Sequence, residues 1–416
     1  MTDTRSVLAL ILSVMILQLA GGLTGILTPL GLERMGVDTS LIGFVAAMNA
    51  AGFMLGAWTS PRALALVGNI RLFAAGAGVS AAGILSLALI QEAPFWALIR
   101  VLQGVAFAYM FTSIESWMGE AVPARSRGNV MGVYHTAAKL SLIVGPFFLA
   151  GLSPLDSRSY VWAGIFLALA LVPTCLTTLK EPPPPDRKSM PLSQLFTLAP
   201  AAVIGVVGAG LVNTGTLALL PVYFEKFELA GGGTAAAAIA IAIAWIGGLI
   251  VQWPAGRLSD VIDRRLVVAG LASAAGAAAI LIAVFGTVIG EAGILVLIGI
   301  WGAGALCFYG VCVSHAIDRT PPGQVPQVMS GLLFVWAAGS IVGPLISGVA
   351  MRIAGAVGLF GFAGVVLGLL AVYMIVRVRQ RAPAESPPSG ERGSILPSPL
   401  ASVEIMPRDP TEGDQG

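Results

Sequence analysis

The 416-residue chain is 56% hydrophobic and only 11% charged, with a net charge of +2 and a mean hydropathy of +0.89. Soluble globular domains carry roughly twice that charge, so a soluble core is excluded. No ~10-residue alternating segments mark a transmembrane β-barrel.

The N-terminal stretch "MTDTRSVLALILSVMILQLAGGL" has no small-residue cleavage site after its apolar run and reads as a retained first span. Apolar runs of about 20 residues suffice to cross a bilayer. Twelve are placed, at 6–31, 40–61, 71–91, 95–119, 129–152, 159–179, 195–222, 234–255, 265–288, 293–317, 326–351 and 357–377. The expected fold is therefore all-α: a membrane protein of 12 transmembrane helices in two six-helix repeats. Residues 1–179 form the first bundle. The stretch "KEPPPPDRKSMPLSQ", 180–194, is a linker, since four consecutive prolines cannot continue a helix. Residues 195–381 form the second bundle, and the Pro/Ser-rich tail 382–416 is expected to be disordered.

Basic residues set the orientation. Of the 23 Lys and Arg, 17 fall on the linker side, and Arg34, Arg158, Lys226 and Arg352 fall on the other. Arg100 and Lys139 stay within the membrane. The linker side is expected to be cytoplasmic, with both termini there. The halves also repeat: Pro123/Pro321, Val130/Val328, Met131/Met329 and the run IVGP at 143–146 and 341–344 match at a fixed offset of 198.

Polar residues inside the spans are candidates for function, because intramembrane charge is costly. Arg100, Phe107, Phe111 and Glu115 share one stripe of span four. His135 and Lys139 share a face of span five at i, i+4. Lys139, near the midplane, fits either a structural ion pair or a group that binds a substrate anion. Glu115 and His135 lie at similar depth on helices joined by a short loop, so they are expected to meet. Glu115 then fits a gate ion pair or a proton-carrying site. Gln18, Asn49 and Asn213 offer uncharged hydrogen bonds to a neighbouring helix or a solute. Tyr309, Trp245 and Trp336 fit a cavity lining or plain packing. Asp318 and Glu120 correspond at the offset of 198 and read as gate elements. Gly21/Gly25, Gly364/Gly368, Gly299, Gly302 and Gly304 read as close-packing surfaces.

Cys175, Cys307 and Cys312 lie in apolar runs without CxxC or Cys/His spacing, so no disulfide framework or metal site is expected. No P-loop is present, and no cofactor is expected.

The most specific motif is "QWPAGRLSDVIDRR", 252–265, between spans eight and nine. Gly256 permits a tight approach, Asp260 suits a neighbouring helix N-terminus, and Arg257, Arg264 and Arg265 add linker-side charge. This motif resembles the signature of the major facilitator superfamily, and the parallel six-span repeats fit that family. The resemblance implies a loop that latches the inward gate, with Asp260 as pivot. The first-half counterpart, 56–71, keeps Gly56 and Arg71 but has Ser60 or Pro61 in the acidic position. "RVLQG" from Arg100 is similar to the R-x-x-Q-G motif, which lies near the coupling network in proton-coupled members. "VGNIRLF", "ESWM", "RGNVMGVY" and "HAIDR" add a resemblance to the YcaD-type bacterial branch, with Asn69 where that branch has the His of G-H-I-R. The drug-exporter signature G-x-x-x-G-P-x-x-G-G is incomplete after Pro146.

The resemblance implies a secondary active transporter in the bacterial inner membrane. Such a protein moves a small organic solute by alternating access with protons as the expected coupling ion, either as importer or as multidrug or metabolite efflux antiporter. A non-transporting receptor on a transporter scaffold is the reading of another class. A membrane enzyme has no supporting constellation. The expected partners are the solute, protons and the lipid bilayer, with no nucleic acid and a monomeric state.

Overall fold

The structure is a computed structural model that describes residues 4–122, 124–149, 151–177, 190–227, 229, 232–321 and 324–380. Most of the expected linker, the expected tail, and the side chain of Glu120 lie outside the described residues.

Long apolar runs in a bilayer must satisfy their own backbone groups, and the helix does so within one segment. The first half comprises α1 (Thr4–Arg34), α2 (Thr39–Val67), α3 (Asn69–Leu89), α4 (Ala93–Ala121), α5 (Ala124–Val144), α6 (Ser157–Leu169) and α7 (Leu171–Cys175). The second comprises α8 (Leu192–Leu198), α9 (Pro200–Ala209), α10 (Gly215–Lys226), α11 (Gly233–Val261), α12 (Arg264–Ala305), α13 (Phe308–Ile317), α14 (Val325–Ala354) and α15 (Ala356–Gln380). No strand occurs among the described residues. Caps set several starts. Asp38 accepts from the Ser40 amide at 2.6 Å, and Asp156 from the Arg158 amide at 2.9 Å. Gly68, at φ 81°, makes the one-residue link between α2 and α3.

Eleven segments among the described residues are long and apolar enough to cross a membrane. The twelfth expected span is α5, a 21-residue helix that includes Arg125, Arg127 and Lys139. Several spans depart from the continuous helices expected. Span seven is broken into α8, α9 and α10, with a π turn at Gly210–Thr214 between the last two. Span five ends in a tight turn at Gly145–Leu149, where Pro146 removes a backbone donor. Spans nine and ten run together as α12, which reverses at Gly290, φ 76°. The reversal brings Gly304 so close to Leu271 that a Cβ there would meet the Leu271 carbonyl.

The chain ends and turns define two faces. The linker end carries Val67, Ala121, Val261–Arg264 and Asp318. The far end carries Arg34–Thr39, Gly145–Leu149, Ser157, Lys226, Gly233, Gly290 and Gly355. Within the first half α2 and α3 pack on α4, and α1 on α5. Within the second α12 packs on α11 and α15. The halves meet where α2 packs on α14, α1 on α10, and α11 on α5 and its terminal turn. Pieces of span seven divide accordingly: α10, on the far side, packs on α1 and α2, whereas α9, toward the linker end, packs on α12, α13, α14 and α15.

Glycine explains the repeat run IVGP. A Cβ on Gly145 would meet the Leu19 carbonyl, and one on Gly343 would meet the Leu211 carbonyl. Each half thus uses the same glycine to press one helix onto its first span. Gly302, Gly304 and Gly364 are close-packing positions as expected. Gly21 and Gly25 are not: both line a cavity, and nothing lies within 4 Å of a Cβ at Gly25 or Gly368. The glycines that let the halves touch are Gly43 and Gly348, on α2 and α14. A Cβ on either would meet backbone of the other helix.

Candidate functional site: the cavity between the halves

A cavity of about 460 Å³ lies between the halves, lined by α1, α2, α4 and α5 from one and α10, α11, α13, α14 and the π turn from the other. Its far-side lining is closed off from solvent: Thr28 is 3% exposed, Leu32 and Ile42 1%, Val45 0%. Toward the linker end its lining includes Gln252, Gly256 and Ser314, which are half-buried. On the far side α2 and α14 meet at the Gly43/Gly348 seam, where Thr39 Oγ1 also donates to the Gly348 carbonyl at 3.2 Å.

Ion pairs hold the far end across the halves. Arg34 pairs with Glu225, Lys226 with Glu33 at 3.7 Å, and Arg352 with Asp38 at 3.0 Å. The first two are reciprocal. Glu33-Arg34 ends α1, and Glu225-Lys226 occupies the corresponding place on α10, with residue numbers differing by 192. Thr234 Oγ1 adds a bond to the Leu149 carbonyl at 2.8 Å. Sequence reasoning did not single out these pairs. The paired acid–base dipeptides were their only signal.

The expected stripe on span four is only partly realised. Arg100, Phe107 and Phe111 line the cavity, while Glu115, one turn beyond, is 3% exposed and outside the lining. Arg100 Nη1 donates to Gln103 Oε1 at 3.1 Å, and Asn49 Nδ2 donates to the Arg100 carbonyl at 3.2 Å. Arg100 Nε is buried without a hydrogen bond, as are Gln18 Nε2 and Asn213 Oδ1, all on lining residues. Asn213 sits in the π turn and donates through Nδ2 to the Ala305 carbonyl at 2.9 Å. π turns inside helices recur at functional sites. Here the turn leaves the Asn213 oxygen without a bond in the cavity wall. Tyr309, Trp245 and Trp336 line the cavity, with Phe53 as a further aromatic the sequence reading passed over.

On span five His135 and Lys139 share a face of the helix, close enough for the charge of one to act on the other, but only one of them lines the cavity. Lys139 lines the cavity, while His135 is buried with its ring 4.8 Å from that of Tyr134. Lys139 makes no ion pair among the described residues: its Nζ donates to Gln252 Oε1 at 2.6 Å, across the halves. Gln252 opens the motif at 252–265. The bond facing Glu115 comes from Tyr134 Oη at 3.4 Å rather than from His135, because the preceding residue of α5 is the one turned toward α4.

The motif at 252–265 builds a cluster inside the second half. Arg264 donates to Asp318 at 2.6 Å, to Ser259 Oγ at 2.8 Å, and pairs with Asp260 at 3.1 Å. Arg265 pairs with Asp263 at 2.6 Å and donates to the Arg377 carbonyl at 2.8 Å. The acid capping the next helix is Asp263, which accepts from the Arg265 amide at 2.9 Å, whereas Asp260 is half exposed. Burial raises the Asp263 pKa, but the Arg265 bonds and charge outweigh it and hold the carboxyl below its usual range. Asp318 thus anchors Arg264, and Gly256 has open space beside it. Arg257 stacks over Trp253, 3.7 Å from the ring centroid, and Arg62 over Trp58 at 5.4 Å in the first half. Both tryptophans are about three-fifths exposed, the placement of interfacial anchors. Arg71 is exposed in the first turn of α3. In the first half Ser60 turns back onto the Gly56 carbonyl at 2.6 Å, and Asn69 accepts from Ser116 at 2.9 Å.

Known proteins resemble this chain over most of its length. An uncharacterised MFS-type transporter YcaD from Salmonella enteritidis PT4 (strain P125109) is 22% identical over 355 residues, covering 84% of this chain and 90% of that protein. An uncharacterised MFS-type transporter from Enterobacter sp. (strain 638) is 23% identical over 356 residues, with the same coverage. The fold is that of a peptide transporter POT, solved as a point mutant in complex with sulfate, at a TM-score of 0.73 and 13% identity, covering 90% of this chain and 94% of that one. It is equally that of a D-xylose–proton symporter, at 0.71 and 14%, covering 90% and 97%. The family model of the Major Facilitator Superfamily matches residues 10–316, and the chain belongs to that family of membrane transporters.

Proposed function

We propose that this chain is a secondary active transporter that moves a small organic solute across the bacterial inner membrane by alternating access, with protons as the coupling ion. One observation carries the reading: a cavity between two pseudo-symmetric halves, sealed at the far end by inter-half contacts and half-exposed toward the linker end. With the linker end cytoplasmic, as the basic residues indicate, this is the inward-open state. Residues 1–179 and 195–381 then act as two bundles that rock about the cavity, joined by the linker at 180–194.

Coupling needs a group whose proton affinity differs between states. Glu115 meets that need: it is buried, bonded by Tyr134, and one turn from the cavity-lining Phe111. Glu115→Gln keeps the shape and removes the charge. In proteoliposomes it abolishes proton-driven uptake while solute exchange at equilibrium continues. Loss of both together makes Glu115 structural. Solutes for the assay come from a thermal-shift screen of metabolites and drugs, since binding raises stability by mass action. Solute-dependent proton flux separates a coupled transporter from a receptor or enzyme on the same scaffold.

A further inference from the structure

We infer that the solute is an organic anion with an apolar or aromatic body, its acid group held by Arg100 and Lys139. The inference rests on the transporter reading of the same cavity and names its substrate class.

Charge balance leads to it. The cavity lining contains two cations, Arg100 and Lys139, and no Asp or Glu. Among the described residues no carboxylate lies within 4 Å of either, and their side-chain partners are the uncharged Gln103 and Gln252. An unpaired cation at membrane depth is costly, and structural cations in such places are normally paired or hydrogen-bonded by acids. Here the neutralising group is absent from the wall, which suits an anion that arrives with the solute. Arg100 is built for one. Its planar fork offers five donors, and the Nε edge is buried and unbonded beside the cavity. A guanidinium takes an acid group with two oxygens in a bidentate pair.

The rest of the lining describes the remainder of the solute. Phe53, Phe107, Phe111, Trp245, Tyr309 and Trp336 face the cavity, which favours an apolar or aromatic body over a polyol. About 460 Å³ lies within the range of sites that hold one drug-sized molecule. Gln18 Nε2 and Asn213 Oδ1 supply one unbonded donor and one unbonded acceptor for further polar groups. Binding also bears on gating. The Lys139–Gln252 bond joins the halves, so an acid group that draws Lys139 away from Gln252 releases an inter-half contact.

The test reads cavity electrostatics before any substrate is known. The full chain, with Cys175, Cys307 and Cys312 changed to Ser and Ser314→Cys introduced at the half-buried wall, is reconstituted in liposomes. Labelling rates are compared for an anionic sulfonatoethyl and a cationic trimethylammonioethyl methanethiosulfonate. The anion-to-cation ratio is expected to fall about threefold or more in Arg100→Gln and again in Lys139→Met, while Arg100→Lys retains it. Benzoate, phenylacetate and octanoate are expected to slow labelling, and their uncharged amides to leave it unchanged. An unchanged ratio in the neutral variants overturns the inference, as does protection by the acids no greater than by the amides or by benzyltrimethylammonium. Acids that bind by these criteria but are neither taken up nor exchanged in proteoliposomes would sink the transporter reading and leave the anion site standing. Transport of a neutral solute with no acid bound does the reverse.

Discussion

The two ends of the molecule use the same kinds of charged residue in opposite ways. At the far end the charges reach across, joining α1 to α10 and α2 to α14, and the arginines involved are half or more exposed, Arg34 at 50% and Arg352 at 64%. At the linker end the ion pairs of Arg264 with Asp260 and Asp318 and of Arg265 with Asp263 lie, among the described residues, within the second half, and these cations are buried, Arg264 at 10% and Arg265 at 3%. Exposed pairs are worth ~0–1 kcal/mol. A buried pair costs about 3–5 kcal/mol to break one-sidedly. The seam that must open is therefore built from weak, solvent-reachable bonds, and the cluster that must keep its shape is built from strong ones. The comparison also accounts for the exceptions to the basic-residue bias. Three of the four cations assigned outside, Arg34, Lys226 and Arg352, are inter-half pairing groups.

The largest break falls at the linker end. Arg264→Ala leaves Asp318 without its 2.6 Å partner and is expected to destabilise the protein by about 3–5 kcal/mol, read as a large drop in melting temperature in detergent. The double change Arg264→Asp with Asp318→Arg recovers part of that loss. Next comes the far seam. Gly348→Leu places a side chain against the Thr39 carbonyl, and overpacking of this kind costs about 1–3 kcal/mol. Because only the far-closed state has the contact, the population shifts by tenfold or more toward far-open. A thiol placed at Val45, 0% exposed in this state, then becomes reactive from outside. The smallest effect is expected at the ion pairs. Glu225→Gln changes the same population by a few-fold at most, ~0–1 kcal/mol, and the change shrinks as salt rises.

Acidity sharpens the same contrast. Hydrogen bonds from Ser40, together with the Arg352 charge, outweigh a small desolvation and hold Asp38 below its ordinary value. A carboxyl lowered in the far-closed state stabilises that state above its ordinary pKa and loses the effect as pH falls through the lowered value. Between about pH 5.5 and 8 the far-end lock is accordingly indifferent to Asp38. A pH response there belongs to another group, and Asp38→Asn tells them apart by leaving that response unchanged.

The fold was legible because its determinants are local. Apolar length gave the spans, and IVGP at 143–146 and 341–344 gave the repeat, which Gly145 and Gly343 explain by pressing on Leu19 and Leu211. The breaks were less legible. The π turn at Gly210–Thr214 adds backbone geometry that no single residue type announces. Cavity residues were half legible: Arg100, Lys139, Gln18, Asn213 and Tyr309 stood out as polar groups in apolar runs, and all line the cavity. Their partners did not stand out. Gln252 bonds Lys139 across the halves, and Gly43 meets Gly348 across the same seam, contacts between segments far apart in sequence. Rotation about a helix axis was misjudged once, and by one residue, at Tyr134 and His135.

The central claim is that the two ends open and close in opposition about the cavity. Distance measurements between spin labels test it most directly. One pair at Leu66 and Val261 spans the halves at the linker end, and another at Leu89 and Val288 spans them at the far end, all four sites being more than four-fifths exposed. In Gly348→Leu, relative to the unaltered chain, the linker-end distance is expected to shorten while the far-end distance lengthens. Two distances that change in the same direction, or a far-end gap that widens with no response at the linker end, would contradict the account.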